Sequence, residues 1–174
     1  FLSDQVFPNR CGYLPGKQVI STEQMLAKVK AALDARRDGE LFIAARTDAA
    51  GVTSVEDAIE RCQLFMEAGA DMAKPMGVDT IADIKRAMRE IPGPHMATLS
   101  QAAGPKARSL EDLEAAGVVA ATFPSLPLFA AANAVRTAVR TLKEKNSLSA
   151  CQDQVLTLDE YYDLVGLKPM LQRE

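Results

Sequence analysis

The sequence has no tryptophan, a single histidine and only three cysteines in 174 residues. Cys11, Cys62 and Cys151 are too few and too scattered for a disulfide framework, and one histidine without a cysteine pair makes no zinc site. That pattern suits a reducing compartment, so a cytoplasmic location is expected. Neither charge is in excess: 20 Lys and Arg against 23 Asp and Glu give −3, with a pI near 5.3. Phosphate binding needs a basic face, so nucleic acid is not the expected partner. No apolar run approaches the ~20 residues that cross a bilayer, and no signal-peptide pattern is visible, so no membrane partner is expected. Gly12 and Gly16 lack the strand-to-helix context of a phosphate loop.

What is present is an ordinary globular composition, 48% hydrophobic and 25% charged, at about the length of one domain. Helix and strand signals alternate. Ser21-Thr22-Glu23-Gln24 fits a capping box, and Met25, Leu26, Val29, Ala32 and Leu33 then share one helical face. Gly39 closes that unit, and Leu41 to Arg46 reads as a buried strand. Ser54 opens the next helix, with Val55, Ala58, Ile59, Cys62, Phe65 and Met66 on one face, and Asp71 to Pro75 follows as a strand. Thr80 opens a third helix before His95 to Leu99, and Ser109 a fourth before Val118 to Pro124. Glu67-Ala68-Gly69-Ala70 and Glu114-Ala115-Ala116-Gly117 read as one helix-to-strand joint used twice. With Phe1 to Gln5 this makes five expected strands, then a long helix carrying Leu128, Val135 and Val139, and a short one capped by Thr157.

Such alternation predicts an α/β fold with a parallel sheet. A closed barrel takes about 200 to 400 residues, so the expectation is a compact open sheet or the later part of a barrel. Phe1 itself falls inside a strand-like run, and a longer parent protein is expected. Ligands in this architecture bind beyond the carboxyl ends of the strands. That rule selects Ser3, Asp4 and Gln5; Arg46, Thr47 and Asp48; Lys74 and Met76; Thr98, Ser100 and Gln101; and Pro124 and Ser125. Arg46 ends an apolar strand and reads either as a bidentate anion clamp or as the partner of Asp4 or Asp48. Cys11, between Arg10 and Gly12 on a polar loop, reads either as an activated thiol or as an incidental loop residue. Cys62 and the methionines read as packing, and His95 as structural.

Asp4-Gln5, Arg10-Cys11-Gly12, Gly16-Lys17 and Ala45-Arg46-Thr47-Asp48-Ala49 together resemble the isocitrate lyase/phosphoenolpyruvate mutase superfamily, closest to its short members of the 2-methylisocitrate lyase and oxaloacetate hydrolase kind. The later joints and the tail Tyr161 to Leu167 agree with it. The resemblance implies a (β/α)8 TIM-barrel type fold, with this chain covering the later strands and helices. Residues 1–145 are then the barrel portion and 146–174 a C-terminal helical tail exchanged between subunits. It implies a lyase that cleaves a C–C bond beside a carboxylate in a small 2-hydroxy or 2-oxo dicarboxylic acid, through an enolate stabilised by Mg²⁺. Cys11 and Arg46 match catalytic positions; Arg10, Gly12, Arg46, Thr98 and Ser100 match substrate-binding ones. Asp4 would stand behind the metal, whose main ligands are not in this chain. A homo-oligomer, a tetramer in this family, or association with a missing N-terminal half is implied.

Several positions depart from the pattern. Ser3 stands where a glutamate is usual, Asn9 for a lysine, Tyr13 for a histidine, Met76 for a glutamate, and Thr98, Ser100 and Gln101 for an Asn, Thr and Glu set. Lost carboxylates weaken a Mg²⁺ site, because hard cations want charged oxygens. The alternatives carried forward are a non-catalytic paralogue and a phosphonomutase or phosphonate hydrolase of the same superfamily.

Overall fold

Five short parallel strands alternate with helices through the first 122 residues of the computed structural model, which describes residues 1–99 and 109–173. β1 (Leu2–Ser3), β2 (Ala44–Thr47) and β3 (Met72–Pro75) are hydrogen-bonded in that order, and β4 (Met96–Thr98) pairs with β5 (Ala120–Thr122). A parallel bridge from Ala73 to His95, with the Ala73 amide donating to the Pro94 carbonyl at 3.1 Å, carries the order from β3 to β4. The crossovers are α1 (Thr22–Ala35), α2 (Val55–Glu67), α3 (Ile81–Glu90) and α4 (Leu110–Ala115).

Each of these helices starts where a hydroxyl can take an orphan amide. Ser21, Ser54, Thr80 and Ser109 accept from Gln24, Asp57, Asp83 and Asp112, and the boxes at Ser21 and Ser109 are reciprocal. The repeated joint turns on Gly69 and Gly117, at φ +107° and +90°, where a Cβ would be strained. Two clusters form the core. Phe65 of α2 packs with Met25 and Val29 of α1, Ala45 of β2 and Ala70; Ile59 and Cys62 pack with Ile84, Ala87, Ile91 and Leu113. Burial pushes the Cys62 thiol far up, so it is packing, not a nucleophile. His95, 3% exposed, rests its Nδ1 2.9 Å from Met88 Sδ, and burial lowers its pKa.

The strands are shorter than the apolar runs suggested. Leu41 and Phe42 lie outside β2, and each is 58% exposed. The Asp71 carboxylate accepts from the Ile43 amide at 2.7 Å and from Arg36 at 2.9 Å. A side chain thus takes the donor at which a longer strand would have begun, and pairing starts at Ala44. At the other end of β1, the Val6 amide donates to the Gln18 carbonyl at 2.9 Å, turning the chain into a loop after Gln5.

Contacts divide the chain into Phe1–Pro124 and Ser125–Glu174. Within the second unit, α5 (Leu126–Lys145) ends at Asn146 in the left-handed conformation, and a 3-10 turn (Ser149–Gln154) folds back on it through Thr141 and Gln154. α6 (Leu158–Leu164) carries the expected Thr157 box with Glu160, and α7 (Leu167–Leu171) follows. Leu128, Val135 and Val139 of α5 are exposed. Among the described residues no helix is long and apolar enough to cross a membrane.

Candidate functional site

The carboxyl end of β2 carries the most connected group of charges. Arg46 donates through Nε to Asp48 Oδ2 at 2.7 Å and through Nη2 to Oδ1 at 2.9 Å. Residues i and i+2 of a strand share a face, so the pair is local. The Asp48 side chain is fully buried, whereas that of Arg46 stays 25% exposed. Lys17 adds a second cation 3.8 Å from Asp48 Oδ1. Two cations against one carboxylate leave the group positive. Of the two readings of Arg46, the ion pair is therefore present, yet it occupies only one edge of the guanidinium. Nη1 and the second Nη2 hydrogen remain on the outer edge.

Beneath this pair, Asp4 ties β1 to β2. Its carboxylate accepts from Thr47 Oγ1 at 2.6 Å, from the Asp48 amide at 3.0 Å and from Arg61 Nη1 at 3.4 Å. Desolvation raises its pKa despite these donors. Asp4 thus supports the strand end that bears Arg46.

The loop after β1 lies on top. Gln5 holds the Arg10 backbone at both ends, accepting from its amide at 2.8 Å and donating to its carbonyl at 3.0 Å. Lys17 Nζ donates to the Gly12 carbonyl. A Cβ on Gly12 would fall 3.2 Å from Arg46 Nη2, 3.5 Å from Asp48 Oδ1 and 2.6 Å from the mobile end of Met76. A glycine is needed for this approach, and it seats the Cys11 loop on the arginine. Cys11 itself is exposed and free. Arg10 is exposed too, its guanidinium 3.4 Å from the Cβ position of Gly16.

On β3 to β5 a polar row faces the same side. Arg46 is the cross-strand partner of Lys74. Lys74 Nζ donates to Thr122 Oγ1 at 3.2 Å and lies 4.8 Å from the Phe1 ring centroid. Burial, and next Arg46, lowers its pKa. Thr98 Oγ1 is 3.3 Å from Thr122 Oγ1 and donates to Met76 Sδ at 3.4 Å. A cavity of about 30 Å³ behind Met76 and Thr98, lined also by Tyr13 and His95, has room for water. Ser100 and Gln101 lie outside the described residues.

The donor set does not fit Mg²⁺. Among the described residues no three His, Cys, Asp or Glu side chains converge. Asp48 is spent on Arg46 and Lys17, and Asp4 on Thr47, Asp48 and Arg61. Ser3 Oγ accepts from the Gln5 amide at 3.2 Å, and Met76 offers a soft thioether.

Sequence reasoning missed Arg61 and Thr122, and it quoted Lys17 only as part of a motif, with no role. Lys17 reaches Asp48 from a loop, and Arg61 reaches Asp4 from the next helix but one, so neither contact had a local signal. Lys74 was picked by its strand-end position but given no role, although a lysine inside Met72-Ala73-Lys74-Pro75 is itself a signal.

Residues 4–143 match the family described as phosphoenolpyruvate phosphomutase. The chain is 36% identical over 165 residues to a 2-methylisocitrate lyase of Aeropyrum pernix, covering 95% of this chain and 53% of that protein. It is 31% identical over 173 residues to 2,3-dimethylmalate lyase of Eubacterium barkeri, covering 99% of this chain and 60% of that protein. Oxaloacetate acetylhydrolase in complex with the inhibitor 3,3-difluorooxalacetate superposes with a TM-score of 0.87 at 24% identity, over 98% of this chain and 58% of that one. The fold is thus that of part of a (β/α)8 TIM-type barrel. The chain spans little more than half the length of the curated relatives it matches.

Proposed function

The chain belongs to the phosphoenolpyruvate phosphomutase family, within the isocitrate lyase/phosphoenolpyruvate mutase superfamily, and from that premise we propose that it is part of a carbon–carbon lyase acting on a small 2-hydroxy or 2-oxo dicarboxylic acid. The observation that supports this reading is the seat of Gly12 on Arg46, which sets the loop carrying Cys11 beside the guanidinium. Cleavage beside a carboxylate leaves an enolate, whose negative oxygen a preorganised cation stabilises. Arg46 is preorganised by Asp48 and turns its outer edge to a carboxylate. Cys11 is the acid that protonates the departing carbanion. Thr98 sits one strand beyond Lys74, within reach of a second polar end of the substrate. Arg10 belongs to this reading only as an exposed outer group. An Mg²⁺ ion, which the resemblance implies, would take its ligands from outside the residues described here, and no step is routed through it.

Cys11→Ser in the intact protein tests the acid role. Turnover of 2-methylisocitrate, 2,3-dimethylmalate or oxaloacetate should fall by about two orders of magnitude, with KM little changed. An unchanged kcat on every acid that is turned over would remove Cys11 from the chemistry. Ser3 and Met76, lacking carboxylates, favour a second reading, a non-catalytic paralogue; failure to bind oxalate by calorimetry, with or without Mg²⁺, would select it. A P–C bond-breaking enzyme is disfavoured, because the resemblance ties a cysteine at the position of Cys11 to C–C lyases. We further propose a homo-oligomer in which residues 1–145 supply barrel and 146–174 a tail exchanged between subunits. The exposed Leu128, Val135 and Val139 stripe supports burial against another chain. Sedimentation should then give a mass above one chain; a well-folded monomer would count against it.

A further inference from the structure

Lys74 is the group the proposed chemistry leaves unused. It sits 8% exposed on β3, between buried Ala73 and half-buried Pro75. Buried lysines are ordinarily paired with a carboxylate. Among the described residues none forms an ion pair with Lys74; its close neighbours are the Thr122 hydroxyl, the Met96 thioether at 3.7 Å and the Phe1 ring. Its register partner on the neighbouring strand is another cation, Arg46. An amine desolvated among apolar groups and set beside a second cation is the arrangement that keeps a lysine neutral and nucleophilic.

We propose that Lys74 forms an imine with the C2 carbonyl of a 2-oxo acid whose carboxylate rests on Arg46. Adjacent strands lie about 4.8 Å apart, so side chains at paired positions stand side by side. In a 2-oxo acid the ketone carbon is bonded directly to the carboxylate carbon. A carboxylate on the outer edge of Arg46 therefore sets the ketone one bond nearer Lys74. The neutral Nζ adds to C2, and the carbinolamine takes up one proton from solvent and expels water, so amine, ketone and proton give one iminium and one water. The iminium draws the electron pair of a breaking bond at the neighbouring carbon. It thus acts as an electron sink. The proton that neutralises the resulting enamine carbon comes from Cys11, and water then hydrolyses the imine and frees the amine. Asp48 is held by Arg46 and Lys17; its charge raises the Lys74 pKa, but it ranks behind burial and Arg46, which lower it. Burial and Arg46 both depress the Lys74 pKa, which supports the neutral amine.

This rests on the reading that the site takes a small 2-oxo acid, and the experiment separates the two. The intact protein is treated with pyruvate and sodium borohydride, digested and mapped by mass spectrometry, while oxalate binding is measured by calorimetry. The expected result is one reduced pyruvyl group on the Lys74 peptide, with oxalate (which has no ketone) lowering the yield by competition. Lys74→Arg should lose the label; because the wild-type map places the adduct, a misfolded variant would not blunt the test. Oxalate binding without an adduct overturns the imine and leaves the carboxylate site standing, with Lys74 as a point charge. An adduct on Lys17 or elsewhere overturns it as well. If neither compound binds, the imine and the lyase reading fall together.

Discussion

Replacing Arg46 by lysine is expected to raise KM for a small dicarboxylic acid by one to two orders of magnitude while moving kcat much less. The side chain does two jobs with one plane. Its inner edge is held by Asp48 through two bonds of 2.7 and 2.9 Å, and its outer edge is left for a ligand. Lysine offers a compact charge and no fork, so it can satisfy Asp48 or a substrate carboxylate but not both with paired bonds. A lost charge-assisted bond is worth about 1.5–3 kcal/mol, which is roughly 10- to 100-fold in binding. Lysine keeps the positive charge that faces the enolate, so kcat moves less, and the lost paired bonds to a carboxylate, made alike in ground and transition states, fall on KM. Lys17 remains near Asp48 in the variant, so the buried carboxylate keeps a cation and the fold should survive. Steady-state kinetics beside a melting curve would decide it. An unchanged KM would reduce Arg46 to a structural ion pair. An equal fall in kcat would mean instead that it acts on charge developing in the transition state.

Why this arginine was legible from the sequence, and Lys17 was not, is a matter of range. A strand places i and i+2 on one face, so Arg46 and Asp48 declare their proximity in five residues. The hydroxyl caps at Ser21, Ser54, Thr80 and Ser109 are local for the same reason, and so is the glycine joint at Gly69 and Gly117. What failed was the extent of the strands. Leu41 and Phe42 are apolar but exposed, because the distant Asp71 claims the Ile43 amide. An apolar run records which residues tolerate burial, not where pairing begins. The seat of Gly12 on Arg46 was likewise out of reach of spacing rules. It depends on Gln5 holding Arg10 and on Lys17 holding Gly12, contacts made within the loop but aimed at another strand. The family resemblance pointed to both pieces without saying how they meet.

Asp4→Ala should destabilise the fold by about 3 kcal/mol, the cost of breaking a buried charge pair, and should lower Tm by roughly 10 °C for a chain of this size. The carboxylate is fully buried and accepts from Thr47, from the Asp48 amide and from Arg61. Removing it strands the Asp48 amide and opens a void. Arg61 is partly rescued, since it also donates to Asp57 and to the Ile20 carbonyl, each at 2.9 Å; that keeps the cost from rising further. Asp4→Asn keeps one acceptor and should cost less. The pH dependence identifies the dominant force. Desolvation raises the Asp4 pKa above its ordinary 3.8, so the folded chain holds this proton longer than the unfolded one. The stability it contributes is therefore full below 3.8 and declines as pH rises through the folded value. The gap between wild type and Asp4→Asn should narrow over that interval. A gap that widens with rising pH would mean that the Arg61 ion pair outweighs burial. The same substitution should raise KM, because Asp4 holds the backbone from which Asp48 orients Arg46. A large fall in Tm with KM unmoved would show that the strand end keeps its shape without this support.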